Sequence, residues 1–282
     1  AVTSVAFAPG GAAAVVGGAD GTARLWRVRD GRLLLVIHAG APVKSVAYSP
    51  NGKIVMTALY SSVRLWKAAT GAPLKTLVDL KPLRTAVAGS TSAADERTQV
   101  AQAAFSPDGR NVVTSSVDGA GRVYDVANGR RLAIFTAHTN YVRDAGFSAD
   151  GKWVVTASTD RTARIWQTFA ASPGFVLAGH GDSVNTAAFN ADGSRVVTAS
   201  DDGTARVWDP GILPALGLLG SQVGPVAGAE PSPDGRLVVS AGADGTARIW
   251  RLADRRQLHV LRHGGSVAVA RFSPDGTLVL TA

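Results

Sequence analysis

The sequence predicts an all-β protein in which repeated four-stranded sheets pack radially around an axis. Three features support this prediction: an aromatic residue that recurs at a nearly constant interval, strand patterns joined by polar turns, and the absence of helical periodicity. The recurring residues are Trp26, Trp66, Tyr124, Trp166, Trp208 and Trp250, separated by 40, 58, 42, 42 and 42 residues. A single four-stranded sheet cannot bury both of its faces, whereas sheets stacked around an axis cover one another.

The first half of each repeat is a predicted β-hairpin. In the repeat "SVNTAAFNADGSRVVTASDDGTARVWDP" (183–210), the runs "VNTAAF" and "RVVTAS" are rich in apolar and β-branched residues. The polar stretch "NADG" separates them, and Asp-Gly between two such runs is a strong hairpin signal. These runs are therefore the predicted strands one and two.

The second half of the repeat supplies two more strands. The polar turn "DDG" precedes "TARVW", where Thr, Arg and Trp alternate with Ala and Val at a period of two. A fourth apolar run follows, as in "RLLLVIHA" (32–39) and "RLAIFTAH" (131–138). Each repeat is thus predicted to form four short antiparallel strands.

The repeats resemble the tryptophan–aspartate (WD) repeats of β-propellers. The matching elements are Gly179-His180 before strand one, Ser-Pro-Asp-Gly in the first turn, Asp202 in the second turn and Trp208-Asp209 after strand three. The resemblance implies six complete four-stranded blades plus the first two strands of a seventh. The recurring pattern Thr-Ala-Arg-x-Trp, in a chain rich in Ala and Arg, resembles the bacterial members of the family.

We expect residues 1–282 to form a single propeller domain that is part of a larger protein. An insertion at 80–98 interrupts the repeats and is interpreted either as a neutral excursion or as a binding or regulatory loop. The stretch "ARFSPDGTLVLTA" (270–282) is interpreted as the start of the seventh blade. The expected blade limits are 1–38, 41–78, 99–138, 139–180, 181–222, 223–263 and, for the partial blade, 264–282.

The resemblance also implies a hydrogen-bonded set of four side chains, here called the tetrad. It joins a His before strand one, a Ser or Thr of strand two, the Asp of the second turn and the Trp indole. Buried polar groups need such partners, and each bond contributes about 0.5–1.5 kcal/mol net. The set is complete in two blades: His138, Thr156 (or Ser158), Asp160 and Trp166 in blade 4, and His180, Thr198 (or Ser200), Asp202 and Trp208 in blade 5.

No residue pattern in the sequence predicts catalysis. Four of the five histidines are assigned to the tetrad position, namely His38, His138, His180 and His263. Patterns typical of serine hydrolases, zinc proteases and nucleotide-binding loops do not occur. The chain also has no cysteine, which excludes disulfides and Cys-based zinc sites. The sequence therefore predicts a protein that is not an enzyme and has no catalytic residue, metal site or cofactor.

The charge balance raises the alternative of nucleic-acid binding. The chain has 29 basic and 21 acidic residues, a net charge of +8. An arginine recurs two positions before each repeat's aromatic residue, at Arg24, Arg64, Arg122, Arg164, Arg206 and Arg248. Residues that recur once per blade are spread around the ring and do not form a stripe, so packing and solubility are the favoured roles. The sequence contains no run of 18 apolar residues, so no transmembrane helix is predicted.

The predicted binding surface is the propeller face that carries the connections between blades. In proteins that resemble this chain, partner contacts come from residues flanking the first-strand valine and from the residue before the turn Asp. These positions are Lys44, Leu59, Gln99, Tyr141, Arg143, Thr159, Asn185 and Asp201. Tyr141 and Arg143 rank first because Tyr and Arg are enriched in interface hot spots. Ordinary variation of exposed residues is the alternative.

Together these features predict a non-catalytic scaffold or ligand-sensing module of a larger regulatory, signalling protein in the cytoplasm. Its expected partner is a protein or peptide. A propeller that binds nucleic acid through its basic surface is the alternative, and membrane binding is not expected.

Overall fold

The structure is a computed structural model that describes residues 1–79, 99–170, 173–209 and 217–282. In these ranges the regular secondary structure consists of β-strands, with no helix. The insertion predicted at 80–98 lies outside the described residues.

The first three blades are four-stranded antiparallel meanders. Blade 1 contains β1 (Val2–Phe7), β2 (Ala13–Gly18), β3 (Thr22–Arg27) and β4 (Leu33–His38). Blade 2 contains β5 (Ser45–Tyr48), β6 (Ile54–Ala58), β7 (Ser62–Lys67) and β8 (Pro73–Asp79). Blade 3 contains β9 (Val100–Phe105), β10 (Asn111–Ser116), β11 (Gly121–Asp125) and β12 (Arg131–Phe135).

The next three blades have the same topology, and a two-stranded sheet follows them. Blade 4 contains β13 (Val142–Phe147), β14 (Trp153–Ser158), β15 (Thr162–Gln167) and β16 (Pro173–Ala178). Blade 5 contains β17 (Val184–Phe189), β18 (Val196–Ser200), β19 (Thr204–Trp208) and β20 (Gly217–Ser221). Blade 6 contains β21 (Val226–Pro231), β22 (Leu237–Gly242), β23 (Thr246–Arg251) and β24 (Gln257–Arg262). Blade 7 contains β25 (Ala270–Phe272) and β26 (Val279–Thr281).

In the blades that carry Ser-x-Asp-Gly, the first turn is fixed by its own polar side chains, as blade 4 illustrates. The Ser148 hydroxyl donates to Asp150 Oδ1 at 2.7 Å, and the same carboxylate oxygen accepts the Lys152 amide at 3.0 Å. Gly151 between them has φ of +70°, a conformation that favours glycine because it has no Cβ. The repeated Ser-x-Asp-Gly letters therefore encode a hairpin turn.

The core lies between blades and not within any one of them. Each buried apolar cluster found in the described part of the chain joins two successive blades. The aromatic residue at the end of the third strand packs against the preceding blade: Trp66 against blade 1, Trp166 against blade 3 and Trp208 against blade 4. This packing explains why an aromatic residue recurs at the blade interval, since every interface needs one large apolar side chain.

Blade 7 lies next to blade 1, so the blades form a ring. In several blades along the ring, a first-turn glycine approaches the preceding blade: a Cβ on Gly52 would lie 3.6 Å from Pro9, and one on Gly276 would lie 3.7 Å from Pro233. Gly11 of blade 1 has the same relation to Pro274 of blade 7, at 3.7 Å. The predicted propeller of six complete blades and two strands of a seventh is confirmed.

Candidate functional site

The tetrads of blades 4 and 5 are continuous chains of buried hydrogen bonds. In blade 5, the Trp208 indole donates to Thr198 Oγ1 at 2.8 Å, His180 Nε2 lies 2.7 Å from the same hydroxyl, and His180 Nδ1 lies 2.8 Å from Asp202 Oδ2. Blade 4 repeats this geometry at 2.9, 2.7 and 2.8 Å. The strand-two member is therefore the threonine in both blades. Ser158 and Ser200 instead accept the amides of Asp160 and Asp202, both at 3.1 Å.

The direction of these hydrogen bonds determines which ring nitrogen of each histidine carries the proton. An indole N–H can only donate, so the Thr198 hydroxyl accepts from Trp208 and donates its own proton to His180 Nε2. The proton of the neutral ring is then on Nδ1, which donates to the Asp202 carboxylate. The tetrad consequently links the Asp of the second turn, through the His, to the Thr of strand two and the Trp of strand three in the same blade.

Burial and hydrogen bonding also set the protonation states in this site. Burial lowers the pKa of His180 despite its bond to Asp202, which acts in the opposite direction. Burial opposes ionisation of the Asp202 carboxyl, but its bonds from Thr204, the Gly181 amide and His180 prevail and hold its pKa well below the usual range. His180 is thus held neutral and Asp202 ionised, in a side-chain environment closed to solvent.

The histidine position differs from the sequence prediction in blade 2. The tetrad histidines lie four residues before the first-strand valine, as His138 does before Val142, and that position before Val43 is occupied by the buried Ala39. The assignment of His38 was wrong, because His38 is the exposed last residue of β4. The Trp66 indole still donates to Thr57 Oγ1 at 2.9 Å.

Backbone irregularities shape the face that carries the connections between blades. The pairing of β13 with β14 shifts register between Val142 and Asp144, and that of β17 with β18 shifts between Val184 and Thr186. Each shift is a β-bulge, in which one strand has an extra residue whose side chain points in a different direction from that of a regular strand. The two residues concerned are Arg143 and Asn185, both predicted as contact residues.

The structure brings three of the predicted contact residues together at this face. Arg143 Nη1 donates to Asn185 Oδ1 at 2.7 Å, and Asn185 Nδ2 donates to Asp201 Oδ1 at 2.7 Å. Asn185 Nδ2 also donates to the Val226 carbonyl at 2.8 Å, which anchors the group to blade 6. These residues line a depression of about 490 Å³ that extends to blades 6 and 7. We call Arg143, Asn185 and Asp201 the rim network.

Tyr141 and Thr159 lie beside the rim network on blade 4. The Tyr141 side chain is 52% exposed, and its carbonyl accepts the Thr159 amide at 2.9 Å. The phenol is therefore available for contact while its backbone is held in place. An exposed tyrosine beside an anchored arginine is a typical composition for an interface.

The predicted contact residues of blades 2 and 3 do not all lie on the surface. Lys44 Nζ lies 4.1 Å from the centre of the exposed Tyr60 ring, a cation–π contact. Leu59 is only 2% exposed and packs in the core between blades 1 and 2, so it does not lie on the surface. Gln99 is half-buried. Sequence reasoning missed Tyr60 as a surface residue, although an aromatic residue in place of the turn Asp was the available signal.

The turn aspartates pair with several of the recurring arginines. Arg24 lies 2.8 Å from Asp20, Arg248 lies 2.8 Å from Asp244, and Arg122 pairs with Asp118. Each pair joins residues four apart across the second turn of one blade. The positive charge of these arginines is therefore balanced locally.

A second group of functional candidates was missed because it lies in the axial channel. Asp144, Glu230 and Arg271 line this channel on blades 4, 6 and 7. Glu230 and Arg271 occupy a first-strand position at which the other blades in the described ranges have Ala or Gly. That departure from the repeat was the signal in the sequence.

In the described ranges, no group of three or more His, Asp or Glu side chains is arranged to hold a metal ion. Within the same ranges, no helix is long and apolar enough to cross a membrane.

Comparison with protein-family models agrees with this geometry. The model of the "WD domain, G-beta repeat" family matches residues 1–27, 31–67, 90–125, 129–167, 171–209 and 218–251. The chain belongs to this family. Its repeats fall on blades 1 to 6, which are the blades with four strands.

Similar proteins come from a nematode and from plants. The chain is 28% identical over 126 residues to "Small ribosomal subunit protein RACK1" of Caenorhabditis elegans, covering 45% of the chain and 37% of that relative. It is 32% identical over 127 residues to the protein of the same name from Medicago sativa, covering 44% and 39%. The match thus spans little more than a third of these relatives. They give no support to the predicted bacterial origin.

Proposed function

We propose that this WD-repeat propeller is a non-catalytic recognition module of a larger regulatory protein and acts in the cytoplasm. Its partner is a protein or peptide that binds the face carrying the connections between blades. Tyr141 and Arg143 provide the main contacts, and Thr159, Asn185, Asp201, Lys44 and Gln99 complete the surface. Leu59 is omitted because it is buried.

The observation that carries this proposal is the rim network beside the exposed Tyr141. Arg143 is held by Asn185 at 2.7 Å, and Asn185 is held by Asp201 at 2.7 Å. An arginine fixed in this way loses less side-chain entropy on binding than a free one. The remaining guanidinium donors suit a carboxylate or a backbone carbonyl of a partner.

The similar proteins add independent support. Both relatives from nematode and alfalfa are named as proteins of the small ribosomal subunit, so they are components of an assembly. A propeller that joins an assembly needs an exposed contact surface. The face described above combines the exposed Tyr141 with the anchored charged side chains of the rim network.

The test compares double substitutions on the two faces. We expect Tyr141→Ala with Arg143→Ala to abolish binding of a protein partner while the thermal unfolding transition is retained. The matched control is Phe169→Ala with Lys152→Ala, which removes an aromatic and a basic residue from the turns on the opposite face, where Phe169 is 63% exposed.

The binding partners are measured by quantitative mass spectrometry of affinity-purified complexes, and binding of purified plant small ribosomal subunits is measured by co-sedimentation. A protein that is lost with the first variant but kept with the control identifies a partner of this face. If both variants retain every interaction of the wild type, the proposed face is wrong.

Nucleic-acid binding is the second candidate, and the net charge of +8 favours it. The local pairing of Arg24, Arg122 and Arg248 with turn aspartates weakens this candidate. Its test is fluorescence anisotropy with generic duplex DNA and single-stranded RNA between about 50 and 200 mM salt, a range over which phosphate contacts lose much of their affinity. A steep salt dependence would favour this candidate.

A further inference from the structure

The innermost strands of all seven blades in the described part of the chain line an axial channel of about 370 Å³. One inward position of each strand faces the same position of the next blade around the ring. In five blades this position is occupied by a small residue: Ala6, Ala47, Ala104, Gly146 or Ala188. In blades 6 and 7 it is occupied by Glu230 and Arg271. At this position the channel therefore has a charged side and a side of small residues, and Gln102, Asp144 and Thr186 line it at neighbouring positions.

Glu230 and Arg271 form an open ion pair. Arg271 Nη1 lies 3.4 Å from Glu230 Oε2, and about one third of each side chain is exposed to the channel, 33% and 35%. The buried Nε of Arg271 has no hydrogen-bond partner among the described residues. This Nε is closed to solvent, so the donors that a channel ligand can reach are those of the partly exposed Nη groups. A planar guanidinium matches a carboxylate in shape and charge.

Asp144 adds a second carboxylate on blade 4. Its oxygens accept the amides of Ala145 at 2.9 Å and Ala187 at 3.2 Å, which fix the side chain between blades 4 and 5. Burial raises the pKa of Asp144 and that of Glu230, while Arg271 lowers both. Asp144 also raises the pKa of Glu230. The three groups therefore interact with one another in one small space.

These charges do not balance within the channel. Two carboxylates face one guanidinium, so a positively charged group would relieve the repulsion between Asp144 and Glu230. The exposed part of the Arg271 guanidinium at the same time attracts a negatively charged group. A ligand with both charges on adjacent atoms satisfies both needs.

We propose that the axial channel binds a small zwitterion, namely a free α-amino acid. Its carboxylate binds Arg271, its ammonium group binds Glu230 and is attracted by Asp144, and its side chain lies against the alanines of the opposite wall. The channel volume is at the lower end of the range of about 300–1,000 Å³ that is typical of small-ligand sites.

The channel opens at the partner-binding face. Ala227 and Ala268 line both the channel and the depression that contains the rim network. A small ligand can therefore enter beside Arg143, Asn185 and Asp201. The proposal does not depend on a partner, since Asp144, Glu230 and Arg271 do not belong to the rim network.

The test uses isothermal titration calorimetry of the whole chain with glycine, alanine, leucine, glutamate and lysine. Acetate and methylammonium serve as ligands that carry one charge each. We expect at least one amino acid to bind, and acetate and methylammonium to bind at least tenfold more weakly. Failure of every amino acid to produce heat at millimolar concentration would overturn the proposal, and so would acetate binding as tightly as the amino acids.

Two substitutions localise the site. Glu230→Ala and Arg271→Ala each install the residue that Ala6, Ala47, Ala104 and Ala188 already provide in other blades, so we expect the fold to be kept. Each should weaken amino-acid binding at least tenfold. Lys152→Ala, which removes an exposed positive charge outside the channel, is the control and should leave binding unchanged.

Circular dichroism confirms that each variant is folded. Glu230→Gln gives a second measurement that keeps the size of the side chain but removes its charge, and it should also weaken binding. Unchanged affinity in the double variant Glu230→Ala with Arg271→Ala would overturn the assignment of the site.

Discussion

Blades 5 and 6 are neighbours with the same strand topology, yet they differ in the histidine position of the tetrad. In both blades the tryptophan indole donates to a strand-two hydroxyl, from Trp208 to Thr198 at 2.8 Å and from Trp250 to Ser240 at 2.9 Å. In blade 5 the chain continues through His180 to the turn aspartate. In blade 6 the same position is occupied by Gln222.

The glutamine does not complete the chain. Its Nε2 donates only a long bond of 3.4 Å to Thr246 Oγ1, and its buried Oε1 has no hydrogen-bond partner in the described ranges. Blade 6 nevertheless folds into four strands, and Asp244 pairs with Arg248 at 2.8 Å. Interface packing and the indole–hydroxyl bond therefore suffice to form a blade, and we expect the histidine to add stability to it.

The largest effect is expected from removing the central hydroxyl of a complete tetrad. Thr198→Val keeps the shape of the side chain but leaves both the Trp208 indole and His180 Nε2 without a partner. Each unsatisfied buried group costs about 1–3 kcal/mol. We therefore expect the free energy of unfolding to fall by about 2–4 kcal/mol, measured by urea denaturation.

The matched control is Thr57→Val in blade 2. Thr57 is as fully buried as Thr198 and accepts the Trp66 indole at 2.9 Å, but Ala39 stands in the histidine position. This variant leaves one group unpaired and should cost about 1–2 kcal/mol less than Thr198→Val. Equal costs for the two variants would contradict a stabilising role for the histidine.

A smaller and opposite effect is expected from completing the tetrad of blade 6. Gln222→His places ring nitrogens between Ser240 and Asp244 and removes the unpartnered amide oxygen. We expect the free energy of unfolding to rise by about 1 kcal/mol, the net contribution of a typical hydrogen bond.

The comparison variant Gln222→Leu removes the amide without restoring the chain of hydrogen bonds. If Leu stabilises the protein as much as His, the gain comes from removing a polar group and not from the tetrad.

The smallest expected effect is a change in how the free energy of unfolding depends on pH. Burial lowers the pKa of His180 in the folded protein, so the folded ring stays neutral where the unfolded ring, with its ordinary pKa of 6.5, binds a proton. The unfolded state then binds more protons, and stability falls as the pH drops below about 6.5. Asp202, whose pKa is lowered, stays ionised over this range.

His180→Gln removes this contribution and copies the residue that blade 6 already carries. Urea denaturation between pH 5 and pH 7.5 should show a weaker loss of stability on acidification in the variant than in the wild type. The other histidines are the same in both proteins, so they do not contribute to the difference. An identical slope for the two proteins would mean that His180 does not carry the expected linkage.

Much of the fold and of the tetrads could be predicted because both are local in the sequence. A hairpin turn needs Asp-Gly within a few residues, and an interface needs one tryptophan per blade, so both leave a period in the chain. His180, Asp202 and Trp208 could be placed because their spacing repeats that of His138, Asp160 and Trp166. His38 was misassigned because the slot is set by its distance from the first-strand valine and not by the presence of a histidine.

The positions of single surface side chains were less predictable. Counted back from the tryptophan, Leu59 has the same place in its repeat as Thr159, but the second turn of blade 2 is one residue shorter: Trp66 follows Thr57 by nine residues, whereas Trp166 follows Thr156 by ten. Ala58 pairs with Val63 across the shorter turn, whereas Ala157 pairs with Ala163. Leu59 therefore takes the buried place that Ser158 has in blade 4, and Tyr60 is exposed. A pattern match assigns a position in the repeat, whereas burial depends on the neighbouring blade.

The sequence by itself determined the blade, its turns and the residues that tie each turn to its strand, because these interactions join residues within one repeat. The tertiary structure decided which residues meet across the ring. Glu230 and Arg271 are 41 positions apart and meet because equivalent positions of successive blades face one channel. Arg143 and Asn185 meet because two bulges turn them toward the same rim. Contacts between blades form only when separate repeats pack side by side in the ring, so no single repeat determines them.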